Sequence, residues 1–172
     1  MLDKPSIERL FERLNGELAS ENIHGEIFLV GGAAMCLAYA ARGSTKDIDA
    51  FFRPARRVRE AAARVAIREG IDSDWLNDAV KGYLSEKGSF AKYLDLSHLQ
   101  VSVANPDYLL AMKCLAMRLG EEFQDLNDVR FLLRLLGIQS YDRALGILAG
   151  YYPLDKFPQK TLYVLEELLA ED

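Results

Sequence analysis

The segment Ile27-Phe28-Leu29-Val30-Gly31-Gly32, followed after fourteen residues by Asp47-Ile48-Asp49, decides the fold of this chain. A short apolar run between Gly25 and a glycine pair predicts a buried strand. The Ala-rich stretch 33–41 predicts a helix beginning directly after the glycines. Ser44-Thr45 breaks it, and residues 47–52 alternate polar with apolar side chains, as a half-buried second strand does. Working outward, Pro5 suits a first helical position, and Ile7, Leu10, Phe11, Leu14 and Leu18 repeat at helical spacing, predicting a helix over 5–20. Pro54 opens a helix to Arg68, ended by Gly70. A short helix is expected at 75–83, then strands at 92–96 and 99–103 around Ser97-His98. Pro106 starts a nearly all-apolar helix to Gly120, and Leu126, Val129, Leu132, Leu133 and Leu136 define the next, stopped by Gly137. Helices at 141–149 and 160–170 complete the chain. This order predicts an α+β (mixed α/β) fold: a small mixed β-sheet flanked by helices, with a helical C-terminal half. The expected division is a core of residues 1–119 and a helical part of residues 120–172 packed on it, or one domain over 1–172.

The same segment carries the chemistry. Two glycines between a strand and a helix let a phosphate approach the backbone, and the first helical turn presents N–H groups that lack helical partners. Asp47 and Asp49, two apart on a strand, place both carboxylates on one face while Ile48, Ala50 and Phe52 face the core. Two carboxylates that close repel unless a cation lies between them. Mg²⁺ accepts such a pair together with phosphate oxygens. Ser44 and Thr45 can donate to a phosphate from the adjoining loop, and Arg42, just before Gly43-Ser44-Thr45, is a candidate triphosphate contact. The bland alternative is a tight turn followed by two solvated aspartates. The stretch Gly31-Gly32-Ala33-Ala34 lacks the glycine spacing of a dinucleotide fold and the Gly-Lys-Thr of a P-loop. A phosphohydrolase nucleophile would directly follow an apolar strand, whereas Ser44-Thr45-Lys46 precedes Asp47.

Gly31-Gly32 leading to Asp47-Ile48-Asp49 resembles the signature of the polymerase-beta-like nucleotidyltransferase superfamily in its minimal form. The run Tyr108-Leu109-Leu110-Ala111-Met112-Lys113-Cys114-Leu115-Ala116-Met117-Arg118, with Asp125 and Asp128 after it, is similar to the abortive-infection type IV toxin nucleotidyltransferases of toxin–antitoxin systems. The resemblance covers roughly residues 25–136. It implies a nucleotidyltransferase-like fold and transfer of a nucleoside monophosphate from an NTP to an acceptor (RNA, protein or a small molecule), with release of pyrophosphate. It also implies glycines that hold the triphosphate, Asp47 and Asp49 binding two Mg²⁺ ions, and a cognate antitoxin as partner. Phosphoryl-type transfer consists mostly of positioning and charge neutralisation, which suits that set. The family adds a third carboxylate flanked by apolar residues on a later strand. Leu94-Asp95-Leu96 has that form and Leu99-Gln100-Val101 has no carboxylate, so Asp95 is the expected third catalytic residue; Gln100 in its place would leave a degenerate, nucleotide- or partner-binding domain.

Lys113 shares an otherwise apolar stretch with Arg118, so its ammonium needs an anionic partner, either a triphosphate or solvent reached by its stem. Asp125 and Asp128 read as helix-capping residues or as residues that orient Lys113 or Arg118 from behind the site. Arg53, Arg56, Arg57, Arg59, Arg64 and Arg68 form a basic run that fits either a solvated helix face or phosphate contact with RNA. Trp75 suits packing better than base stacking, and neither His24 nor His98 has zinc-ligand spacing. The chain carries 26 acidic and 21 basic residues, a formal −5. Residues 1–119 hold 16 of each sign, so the whole excess lies beyond Gly120 and net charge excludes little about nucleic acid. Cys36 and Cys114 lie in apolar runs and suit a reducing, cytoplasmic setting; no apolar stretch of membrane-spanning length and no signal-peptide core is expected.

Overall fold

The computed structural model describes residues 1–120 and 125–170. In chain order the elements are β1 (Leu2–Asp3), α1 (Lys4–Ser20), β2 (Gly25–Leu29), α2 (Gly31–Leu37), β3 (Ser44–Thr45), β4 (Ile48–Arg53), α3 (Ala55–Glu69) and β5 (Leu76–Asn77). After a 3-10 turn at Ala79–Tyr83 come β6 (Phe90–Asp95), β7 (Leu99–Ala104), α4 (Pro106–Leu115), α5 (Asp125–Leu135), α6 (Tyr141–Tyr151) and α7 (Gln159–Ala170). The α+β class and the mixed sheet stand as the sequence predicts. The chain divides into two compact units: Met1–Gly82 with Phe90–Ala104, and Tyr83–Ser89 with Asn105–Asp172.

The first unit is built on a five-stranded sheet of order β5-β4-β2-β7-β6. β2 is central, antiparallel to β4 and parallel to β7, while β6 closes the far edge antiparallel to β7. Ile27, Leu29, Ile48, Ala50, Phe52, Leu99, Val101 and Val103 are buried, and residues between them remain half-buried or exposed. That two-residue alternation gives the sheet one core face and one more open face. α1 and α3 supply matching apolar stripes, Ile7, Leu10, Phe11, Leu14 and Leu18 on one and Val58, Ala61, Ala62, Val65 and Ala66 on the other. Asp3 caps α1 by accepting from the Ser6 N–H at 3.0 Å, and Gly70 ends α3 in the left-handed conformation.

In the second unit α4 buries Tyr108, Leu109, Leu110, Ala111, Met112 and Cys114, and α5, α6 and α7 pack against it. Among the described residues no helix is long and apolar enough to cross a membrane.

Three elements differ from expectation. The helix expected at 33–41 spans Gly31–Leu37, because the chain already turns helical at the glycines and leaves the helix after Leu37. The helix expected at 75–83 is a two-residue strand, β5, beside β4 followed by a 3-10 turn; β5 gains its ladder from β4, a partner that local sequence cannot reveal. The apolar helix expected to reach Gly120 ends at Leu115.

Candidate functional site

Of the predicted phosphate and metal residues, Gly31, Gly32, Arg42, Thr45 and Asp49 meet where β2 ends and β4 begins, and Asp47 directly precedes β4. The Val30 N–H donates to the Asp49 carbonyl at 3.1 Å, which pins the glycine turn to the carboxylate strand. Gly31 adopts φ +63°, the left-handed region that favours glycine. A Cβ built on it would stand 3.1 Å from Asp49 Oδ2, so the carboxylate lies against the turn. A Cβ on Gly32 would stand 2.6 Å from Thr45 Oγ1 and 2.9 Å from Arg42 Nη1. The two glycines thus gather Asp49, Thr45 and the Arg42 guanidinium onto one short piece of backbone, and any side chain would displace them.

Thr45 is buried, and its hydroxyl donates to the Asp47 carbonyl at 3.1 Å. It therefore shapes the loop that delivers Asp47, a use other than the phosphate contact expected of it. Ser44 is half-buried in the β1–β3 ladder opposite Asp3. Asp47 and Asp49 flank the buried Ile48 and are both half-exposed, and Asp47 borders an open cavity of about 320 Å³ with Lys46, Asp72 and Asp74. Asn77 on β5 stands in register with Asp49, a neighbour that sequence reading did not find because β5 itself was missed.

Among the described residues no group of three or more His, Cys, Asp or Glu side chains is arranged to hold a metal. Mg²⁺ needs only one or two protein carboxylates, its remaining positions going to water and phosphate oxygens. Asp47 and Asp49 are each half-exposed, the setting of a carboxylate that would share an ion with water and phosphate oxygens.

Neither Asp95 nor Gln100 lies beside the pair. Asp95 opposes Gln100, Gln100 aligns with Glu26, and Glu26 aligns with Arg53. All four stand at the end of the sheet away from the glycines, four residues along β4 from Asp49, roughly 13 Å at the usual strand rise. Asp95 is also three strands across. The reason is topological: β7 runs parallel to β2, so residues next to the β6–β7 turn fall beside the start of β2 rather than its end.

Lys113, Asp125 and Asp128 come together within the second unit. Lys113 Nζ lies 2.8 Å from Asp128 Oδ2 and 3.3 Å from Asp125 Oδ1, with all three side chains largely buried. Asp125 also accepts from the Arg118 backbone N–H at 2.8 Å and from Arg118 Nε at 3.0 Å. Burial pushes the Asp125 carboxyl up, but the bonds from Arg118 and the charges of Lys113 and Arg118 outweigh it and hold it below the usual carboxylate range. Two cations balance two anions, so Lys113 finds the partner its apolar setting demands without a triphosphate, and the aspartates hold cations in place.

The arginine run is engaged by carboxylates of the first unit. Arg53 pairs with Glu26, Arg56 with Glu60, Arg57 with Glu21, Arg59 with Asp78, and Arg64 and Arg68 with Glu17. Trp75 is buried with its indole N–H donating to the Ala62 carbonyl at 2.9 Å, a packing role. His24 and His98 stack on each other at 4.5 Å. Burial pushes the Cys114 thiol up to about 12, and raises Cys36 as well, so both are inert thiols at neutral pH.

A family model described as a nucleotidyltransferase of unknown function (DUF6036) matches residues 6–132, which take in the sheet, the glycine turn, the Asp47–Asp49 pair and the Lys113–Asp128 cluster. No curated protein and no solved structure matches the chain. Since the family match spans most of the chain, this protein belongs to that nucleotidyltransferase family.

Proposed function

We propose that this protein is a Mg²⁺-dependent nucleotidyltransferase that moves a nucleoside monophosphate from an NTP to an RNA, protein or small-molecule acceptor. The observation that carries the reading is the glycine turn: Gly31 is held in a glycine-favouring conformation against Asp49, and Gly32 is covered by Arg42. Because Gly31 and Gly32 carry no Cβ, Asp49, Thr45 and Arg42 close onto this backbone, and a triphosphate would be met there by the Asp49-bound cation and the Arg42 guanidinium. Arg42 supplies a guanidinium at that backbone, suited to bidentate phosphate contact. Asp47 and Asp49 hold Mg²⁺, which when bound neutralises developing charge on the phosphates. The acceptor's nucleophile bonds to the α-phosphorus as the bond to the β-phosphate oxygen breaks, its proton passes to water or to an acceptor-side base, and pyrophosphate leaves. A toxin role within a toxin–antitoxin pair, with a cognate antitoxin protein as partner, belongs to the same reading and rests on the likeness of the Lys113–Asp128 segment.

One observation favours a second reading. On the open face β7 presents Gln100 and Ser102, and Asp95 stands at the far end, so the β6–β7 hairpin places no third carboxylate beside the pair. A degenerate member would bind nucleotide without turnover.

Incubation with α-labelled NTPs, Mg²⁺ and cell extract separates the readings. Label moved to RNA, protein or a small molecule, and lost in Asp47→Ala and Asp49→Ala, supports the transferase. Binding of NTP by calorimetry with no transfer supports the degenerate member, and no binding of any NTP ends both. Growth arrest on expression, relieved by a neighbouring protein, tests the toxin role.

A further inference from the structure

Beside Asp49 the open face of the sheet carries a row of aromatic rings that neither the family description nor the carboxylate motif uses. Phe51 lies two residues along β4 from Asp49, and Phe28 pairs directly with it on β2. The Phe28 and Phe51 ring centroids are 5.8 Å apart, and Phe90 meets Phe28 edge-on at 5.1 Å. By register Phe90 opposes Ala104, which continues the line through Val30 to Asp49. All three rings are half-buried. Phe28, the middle ring, is capped by the Arg53 guanidinium at 5.1 Å, which is itself bound twice by Glu26. Arg53 thus closes the platform on the side away from the carboxylates, and Phe51 is the ring that flanks them.

We infer that Phe51, buttressed by Phe28 and Phe90, is the stacking platform for the base of the NTP. The inference rests on the transferase reading and extends it to the nucleoside. Two residues along a strand span roughly 7 Å, comparable to the reach from an α-phosphate across a ribose to its base. A nucleotide whose phosphates sit at Gly31, Gly32 and Asp49 therefore brings its base over the next row of the same face. Stacking on a ring is tolerant of base identity, since every base has a π-face. Polar side chains on the same face, Ser102 in the Phe28 row and Gln100 one row beyond, lie where a base edge would be read.

The test is calorimetry on the full chain with Mg²⁺ and, separately, each NTP and inorganic tripolyphosphate, which has phosphates but no base. Phe51→Leu should weaken NTP binding at least about fivefold and leave tripolyphosphate binding within twofold, while Phe51→Tyr restores the NTP affinity. Phe51→Trp adds a half-exposed reporter against the buried Trp75, and its emission should fall with NTP but not with tripolyphosphate. Wild type that binds NTP while Phe51→Leu binds it equally well overturns this inference alone. An equal loss toward both ligands, or emission of the Phe51→Trp variant that ignores NTP, also overturns it. Wild type that binds no NTP overturns the transferase reading and this inference together.

Discussion

Two acidic pairs in this molecule have nearly the same ingredients and opposite settings. Asp47 and Asp49 stand at the start of β4, both half-exposed, with Asp49 against Gly31 and Arg42 against Gly32. Asp125 and Asp128 share a helical packing layer with Lys113 and Arg118, both carboxylates largely buried and matched charge for charge. Burial makes the difference. A carboxylate that keeps water on one side can exchange that water for a metal ion or a phosphate-bound cation. A carboxylate withdrawn from water must already hold its counter-charges, or folding would meet a desolvation cost of several kcal/mol. On the transferase reading the first pair receives a metal ion, whereas the second retains the charges of Lys113 and Arg118.

The sharpest way to break this contrast is to neutralise one carboxylate from each pair. Asp49→Ala should reduce transfer at least about a hundredfold while the protein still melts cooperatively; radiolabel transfer and calorimetric melting read the two effects. Unchanged transfer would remove Asp49 from the site. Asp125→Asn should do the converse, lowering stability by about 3 kcal/mol in denaturant titrations while NTP affinity stays within twofold. A loss of NTP affinity with stability intact would instead place Lys113 on the triphosphate.

Acid sharpens the same point. The Asp125 carboxyl is held below its ordinary value of 3.8, so the folded state binds its proton less readily than the unfolded chain. Its contribution to stability is present above that ordinary value and is lost as pH falls through the lower folded value. Melting of wild type against Asp125→Asn should therefore converge below about pH 4, and curves that stay parallel would remove Asp125 from the acid response.

Smaller effects follow at the backbone and surface. Gly31→Ala forces a side chain into the left-handed region, which costs about 1–2 kcal/mol, and pushes on Asp49; activity should fall more than stability does. Arg56→Ala removes one exposed i,i+4 pair with Glu60 and should change stability by no more than about 0.5 kcal/mol. If Arg56→Ala lowers the salt dependence of RNA binding, the basic run has a role beyond its ion pairs.

Periodicity alone determined much of this protein. The apolar stripes of α1 and α3, the strand before the glycines and the alternation through Asp47–Phe52 are local patterns, and local patterns survive translation into structure because helix and strand periods are set by the backbone. The candidate site was legible for the same reason: Gly31, Gly32, Asp47 and Asp49 lie within one β2–α2–β4 stretch of the chain, with Arg42 after α2 and Thr45 on β3. The remaining features depend on partners distant in sequence. The parallel register of β2 and β7 carries Asp95 away from Asp49, β5 exists because β4 offers it a ladder, and Arg53, Arg57, Arg59 and Arg64 meet carboxylates on β2, just after α1, after β5 and on α1 in turn. Lys113 shows the limit most plainly. Its sequence states that a cation in an apolar helix needs an anion, and only packing, which brings α5 against α4, says that the anion is the protein's own.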